Sequence, residues 1–465
     1  MLQTLIDGTP TGGTLTVPAC LYREEVTVPR SMTLTTSGAE IRGSDVWTSW
    51  SGNVSTQTLP VFWSYGPAVC GGDLRCALVE QVFVDGAAQY QRPDGSSPSG
   101  GQFAMDSGRH VVLGSNPSGH VVEVSTRAYW MHVYANDVTV NGFRMKHSIV
   151  TAQHGGLEVG NDSVVYDRAT ISNNVLSDTS GGVLELHRGS GHRVVGNNIS
   201  RGGQLGMGYG GAADGSSAGT LIQGNAIHDN NTEDFDPGWE AGGLKTCFTR
   251  NISVDANTVY GNKGAGLWFD CNVTGAVVTN NVVHHNWAIG IFIETVSGAT
   301  VAYNEVWETT WGSGGGWAYG GGIVVSSSGN GIDVHHNTVA WTPDGVSVLE
   351  QNRADRIETT GVYVHENDIF QARYASDTSD AMMLGWACDY SCLMFDTASN
   401  NRGALNRYWN RDAQPTWCRF TWAGCKSDLA SFNATPGEEG GVYLTDAQKD
   451  AVLTSAGIPT APESR

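Results

Sequence analysis

The sequence predicts an all-β solenoid, and three observations carry that prediction: a turn-rich composition, a short internal repeat, and residue alternation inside the repeat. Only 15% of the 465 residues are charged while 61 are glycine, with Asn, Ser and Thr abundant, a balance that favours tight turns and strands over long helices. From about Val138 to Phe370 a unit recurs: a β-rich triplet, an Asn, a second apolar pair, a polar turn, then Gly followed by alternating residues. Its Asn stands in SNNVLSD (Asn174), GNNIS (Asn198), GNAIHDN (Asn225), ANTVYGN (Asn257), NNVVHHN (Asn281), YNEVWE (Asn304), HNTVA (Asn337) and ENDIF (Asn367). Successive gaps are 24, 27, 32, 24, 23, 33 and 30 residues. A minimum of 23 to 24 residues with two or three short strands is one coil of a right-handed parallel β-helix, whose coils stack about 4.8 Å apart. A propeller blade is longer and carries another signature. Longer gaps are coils with loops. Asn tolerates left-handed backbone and its amide can bond the Asn of the next coil, so a ladder is expected.

The remaining segments are placed around that repeat. Residues 1–50, with GTLTVPACLYREEVTVPRSMTLTTSGAEIRG, read as N-terminal coils closed by Gly and Pro turns. Residues 51–127 lose the Asn period and show VEQVFVDG, GQFAMD, RHVVLG and HVVEVS, alternating strands that predict an inserted small β-sandwich. Residues 128–370 form the β-helix proper and carry the active-site coils. Residues 371–465, rich in Trp and Cys, predict a C-terminal cap over the open sheet edge, ending in a helix with Thr445 as N-cap and Gly457 as stop.

The charge narrows the partners. With 46 acidic against 26 basic residues the net charge is -20, and no Lys/Arg cluster supplies the footprint that nucleic acid requires. Polyanions are disfavoured too, and a neutral oligo- or polysaccharide fits better. No run of 18 apolar residues predicts a membrane span. Nine cysteines include the close pairs Cys70/Cys76, Cys388/Cys392 and Cys418/Cys425, without metal-site spacing, so disulfides in an oxidising compartment with one thiol left over are expected. Secretion follows as an expectation, and it requires that the natural chain begin upstream of Met1. Oligomeric state is left open.

The chemistry is placed by aligning two regular coils on their glycines: Gly266-Leu-Trp-Phe-Asp270 and Gly290-Ile-Phe-Ile-Glu294. Strand side chains alternate, so Leu267, Phe269, Ile291 and Ile293 point inward while Trp268, Asp270, Phe292 and Glu294 point outward. Asp270 and Glu294 therefore stand on neighbouring coils about 5 Å apart in the stacking direction, near the about 5–5.5 Å that separates the carboxyl groups of retaining glycosidases. Like charges so placed repel, which implies either a protonated carboxyl or a cation between them. No cofactor is called for and no metal ligand set is assigned, calcium at this pair being the one ion considered. One coil earlier Lys245 is outward, as base, hydroxyl ligand or salt-bridge partner of Asp270. Trp239 and Glu240 precede that coil, and Trp311, Trp317 and Tyr319 lie on a Gly-rich loop; exposed aromatics of this kind suit the apolar faces of sugar rings.

These elements, WEAGGLK, GLWFD and GIFIE, resemble the active-site coils of β-helix glycoside hydrolases, and most closely glycoside hydrolase family 120, the β-xylosidases, which also insert a β-sandwich near the start of the β-helix. The resemblance covers most of the chain as architecture and about 55 residues as motif. It implies Asp270 as nucleophile, Glu294 as acid/base and Glu240 as an assisting carboxylate; the reading of the residues themselves places Lys245, Trp268, Phe292, Trp239, Trp311 and Trp317 around the substrate.

Other readings of the same residues stay open. The carboxylates can be solvated surface groups, Glu240 a turn residue, the aromatic loop packing for the cap, and the His pairs at 284/285 and 335/336 polar-turn residues. Cys247 and Cys271 can form a disulfide between coils. A polysaccharide lyase or epimerase on uronate would use Lys245 as base, against which stands the lack of an outward Arg in the adjacent coils. A noncatalytic glycan-binding surface protein shares the fold and needs no stacked carboxylate pair.

Overall fold

The computed structural model describes residues 1–161, 163–309, 318–371, 382–411 and 418–463. The chain divides into two compact units, one of Met1–Tyr209 with His228–Ala241, the other of Gly210–Ile227 with Gly242–Arg465. Within each, short strands run through three parallel sheets in turn and each sheet pairs one coil with the next, the pattern of a parallel β-helix.

The first unit opens on the helix Leu2–Gly8, whose Leu2 and Ile6 are buried and whose first backbone N–H groups are satisfied by the Glu24 carboxylate, 2.9 Å from Leu2 N and 3.2 Å from Gln3 N. Its first sheet pairs Thr14–Thr16, Thr33–Thr35, Thr139–Asn141, Thr170–Ser172 and Arg193–Val195 in parallel, and its third pairs Val26–Val28, Met131–Val133, Gly155–Val159 and Gly182–His187. Between Thr35 and Thr139 two small sheets intervene. One contains Ser44–Val46, Val122–Ser125, Val82–Val84 and Ala87–Ala88, the other Trp50–Ser51, Val54–Thr58, His110–Leu113, Gln102–Met105 and Tyr90–Gln91. Trp47, Leu59, Val82, Phe103, Val111, Leu113, Val122 and Val124 pack as their common core. These sheets begin at Ser44 rather than at residue 51, because Ser44–Val46 pairs antiparallel with Val122–Ser125; nothing in SDVW marks a change of direction.

In the second unit the third sheet runs Gly242–Cys247, Ala265–Asp270, Ile291–Glu294, Gly321–Ser326, Asp344–Glu350, Leu384–Cys388 and Phe420–Thr421. Strands beyond residue 371, among them Arg402–Ala404, Arg407–Asn410 and Val442–Tyr443, continue the coils, so the Trp- and Cys-rich tail builds sheet. The helix Asp446–Ser455 follows, with Thr445 as N-cap in a capping box and Gly457 at φ +69° past its end.

The asparagine ladder is present. In the second unit side-chain amides link Asn225, Asn257, Asn281, Asn304, Asn337, Asn367 and Asn406 from coil to coil at 2.9 Å, and the buried Glu438 accepts from Asn406 Nδ2 at 2.8 Å as the last rung. In the first unit the rung is Asn174 to Asn197 at 3.0 Å. Asn198, the residue expected from GNNIS, sits on the strand and pairs with His228 at 3.2 Å. The left-handed backbone also lies elsewhere than expected: it falls on the residue before each rung, including Ala256, Asn280, Tyr303, His336, Glu366 and Leu405. The rung Asn is thus required for its amide, which satisfies the buried turn, and not for its dihedral freedom.

Four disulfides join Cys70–Cys76, Cys247–Cys271, Cys388–Cys392 and Cys418–Cys425, and Cys20 is free and exposed. Among the described residues no helix is long and apolar enough to cross a membrane.

Candidate active site

Register on the third sheet of the second unit brings five of the expected site residues together. Lys245 pairs with Trp268 and Cys247 with Asp270; Trp268 pairs with Phe292; Glu294 pairs with Ser326 in the following strand. Leu267, Phe269, Ile291 and Ile293 are fully buried on the inner face, leaving Asp270 and Glu294 at equivalent outward positions of neighbouring coils.

Asp270 is held by three donors. Its Oδ2 lies 3.0 Å from Lys245 Nζ, and its Oδ1 accepts from the Thr295 hydroxyl at 2.9 Å and from the Cys271 backbone N–H at 2.7 Å. The Cys247–Cys271 disulfide ties the two coils beside it. Glu294 accepts the Trp268 indole N–H at 2.8 Å through Oε2 and the Arg353 guanidinium through Oε1. Burial and the charge of Asp270 push the Glu294 carboxyl above its ordinary value, outweighing Arg353 and Trp268, which pull it down. Lys245 Nζ stands 3.7 Å from the centre of the Trp268 ring, a cation–π contact.

The outward face is not open. Asp270 is 7% and Glu294 8% exposed, and Trp268 and Phe292 are each 6% exposed. The two rings stack at 5.5 Å and join Ala265, Ile289, Ala318, Val324, Leu349 and Met382 in an apolar cluster. The exposed stacking faces expected for Trp268 and Phe292 are therefore covered: alternation tells which side of a strand a residue takes, not what other coils lay over it. Tyr319 packs edge-on to Phe292 at 6.4 Å, and burial raises its phenol. Next to it lies a cavity of about 200 Å³ lined by Ala318, Tyr319, Leu349, Glu350, Gln351, Ala387, Cys388 and Asp389. This is smaller than the ~300–1,000 Å³ of drug-sized clefts, and neither Asp270 nor Glu294 is among the residues that line it.

Trp239 and Glu240 belong to the first unit. Trp239 stacks on Phe235 at 6.0 Å and meets Tyr65 edge-on at 5.0 Å, and Glu240 has left-handed backbone at φ +56°. Trp311 and Trp317 lie outside the described residues. Thr295 and Arg353 were not singled out from sequence. Thr295 simply follows Glu294, whereas Arg353 reaches back from NRADR, past the Asp344–Glu350 strand two coils on, where no period marks it. The expectation concerned an outward Arg beside Lys245 in the adjacent coils; Arg353 comes instead from further along the chain and meets Glu294.

Cys247, Asp270 and Cys271 place ligand atoms within 4.8 Å of one another, but the disulfide leaves no thiolate for a metal. Lys245 and Arg353 each bring a positive charge to one of the two carboxyls.

A family model described as the right handed beta helix region matches residues 155–339. Among solved structures the chain is similar to XylC in complex with xylose, at 14% identity over 95% of this chain and 82% of that one with a TM-score of 0.65. It is also similar to the A-module of the Azotobacter vinelandii mannuronan C-5 epimerase AlgE6, at 12% identity over 95% of this chain and 94% of that one with a TM-score of 0.50. Comparison with curated proteins gives no match. The likenesses establish the fold as a right-handed parallel β-helix, as the repeat predicted.

Proposed function

We propose that this right-handed β-helix chain is a carbohydrate-active enzyme, a retaining glycoside hydrolase of neutral or weakly charged glycans. The observation that carries the reading is the placement of Asp270 and Glu294 at one offset of adjacent coils, a spacing set by the about 4.8 Å strand separation. The two carboxyls have different surroundings. Asp270, ion-paired with Lys245, attacks the anomeric carbon. Glu294, whose carboxyl is raised by burial and by Asp270, donates its proton to the leaving oxygen, then takes one from water to hydrolyse the glycosyl-enzyme. XylC, bound to xylose on a similar fold, supports a sugar as substrate, and the four disulfides support export to an oxidising compartment.

One observation favours a second reading. Arg353 places a permanent cation at the carboxyl pair, as binding of a uronate carboxylate would need, and Lys245, after giving its own proton to solvent, would as the neutral amine take the C5 proton.

The test is incubation with neutral glycans and with uronate polymers, reading new reducing ends and the absorbance of an unsaturated product, with proton NMR for the anomer first released and for C5 inversion. Reducing ends with retained configuration, lost in Asp270→Ala, are expected. Absorbance or C5 inversion from a uronate polymer, lost in Lys245→Met, overturns the hydrolase.

A further inference from the structure

A second convergent cluster lies on the third sheet of the first unit, among residues for which the proposed chemistry has no use. Register pairs His132 with Glu158 and Glu158 with Glu185 on adjacent strands, and His187 ends the same strand as Glu185. His154 stands in the turn just before Gly155–Val159. Both His154 Nδ1 and His187 Nε2 approach a single oxygen of Glu158, Oε1, at 2.7 Å; His132 Nδ1 lies 3.2 Å from the other oxygen. Glu158 itself is buried.

We propose that His154, Glu158 and His187 form a binding site for a divalent transition-metal ion of the Zn²⁺ class. One ligand atom from each residue lies within 4.8 Å of the other two, a spacing that bonds of about 2.0–2.2 Å to a central ion draw together with small side-chain rotations. Two imidazole nitrogens and a carboxylate oxygen are the donor set of Zn²⁺ and its first-row neighbours, whereas Ca²⁺ and Mg²⁺ take oxygen. In the metal-free arrangement both rings must turn an N–H to one carboxylate oxygen. An ion bound by the same two nitrogens replaces those protons and neutralises the buried charge. His132 then occupies the outer position, hydrogen-bonded to the free carboxylate oxygen and fixing its direction, while its own ring packs on Tyr129 at 4.1 Å. The His154 side chain is 35% exposed, which gives the ion an entry path and leaves coordination positions to water.

The experiment uses the tag-free full chain, stripped with a chelator and titrated with zinc chloride by calorimetry. Elemental analysis gives the stoichiometry, and cobalt substitution reports the ligand field by absorbance. One equivalent is expected, bound in the micromolar range or tighter, with a rise in melting temperature. His132→Phe should weaken it about 10–100-fold, as loss of an outer partner does, and His187→Ala by more. His154→Ala, at a partly exposed turn, keeps the fold as judged by circular dichroism and should lose both the binding and the thermal shift. His335→Ala with His365→Ala, removing a surface histidine stack, should change nothing. Absence of binding by the stripped wild-type chain, or binding that survives both His154→Ala and His187→Ala, overturns the site.

Discussion

The indole nitrogen of Trp268 donates to Glu294 Oε2 across one coil at 2.8 Å. The same ring lies under the Lys245 ammonium that pairs with Asp270, so one buried side chain positions both carboxyl groups. Trp268→Phe retains a stacked ring but removes the donor. A fall in kcat of about tenfold or more with little change in KM is expected from steady-state kinetics, the signature of a contact that matters in the transition state.

Replacing the acid isolates its role. Glu294→Gln keeps the shape and the indole contact while removing the proton, and should lower turnover about 10²–10⁴-fold. Aryl glycosides with good leaving groups need little protonation, so their first, bond-breaking step, followed as a burst of released phenol, should recover most of that loss.

The pH profile follows from Glu294. Its carboxyl is raised by burial and by Asp270, so the acid form, and with it kcat/KM, should persist above the usual carboxylate range and decline as pH rises through the folded value. Because Arg353 pulls that value down, Arg353→Met should move the alkaline limb upward. The stability linkage has the same sign: a raised folded value stabilises below the unfolded value and that contribution is lost as pH rises through the folded one. Activity and thermal melts measured across the same buffers check both.

The end of the asparagine ladder provides a stability test away from the site. Glu438 accepts from Asn406 Nδ2 at 2.8 Å and from the Tyr408 hydroxyl at 2.5 Å, all buried. Glu438→Ala orphans these two donors, together with the Asn406 backbone N–H that meets Oε1 at 3.3 Å, and should cost about 1–3 kcal/mol for each. Glu438→Gln keeps an acceptor and should retain most of the stability, as read from denaturant midpoints.

What the sequence revealed and what it hid divide along physical lines. The inward and outward positions of Leu267, Trp268, Phe269 and Asp270 were legible because strand alternation is strict. The 24-residue step to Ile291, Phe292, Ile293 and Glu294 was legible because these two coils carry no loops. Asn197 was confused with Asn198 because both neighbours are Asn and only burial separates a rung from a strand residue. The covering of Trp268 and Phe292 by Val324, Leu349 and Met382 and the reach of Arg353 arise from coils further along the sheet. Such contacts leave no trace in local periodicity.

The ladder also bears on how such a chain can change over generations. In the second unit its rungs meet at 2.9 Å although 23, 24, 30, 33 or 39 residues separate them. Segment length is thus uncoupled from the register of the scaffold: a loop can grow, shrink or be exchanged between two rungs without moving either. Recognition can diversify in those loops while Asp270 and Glu294, on the shortest and most regular coils, keep their spacing.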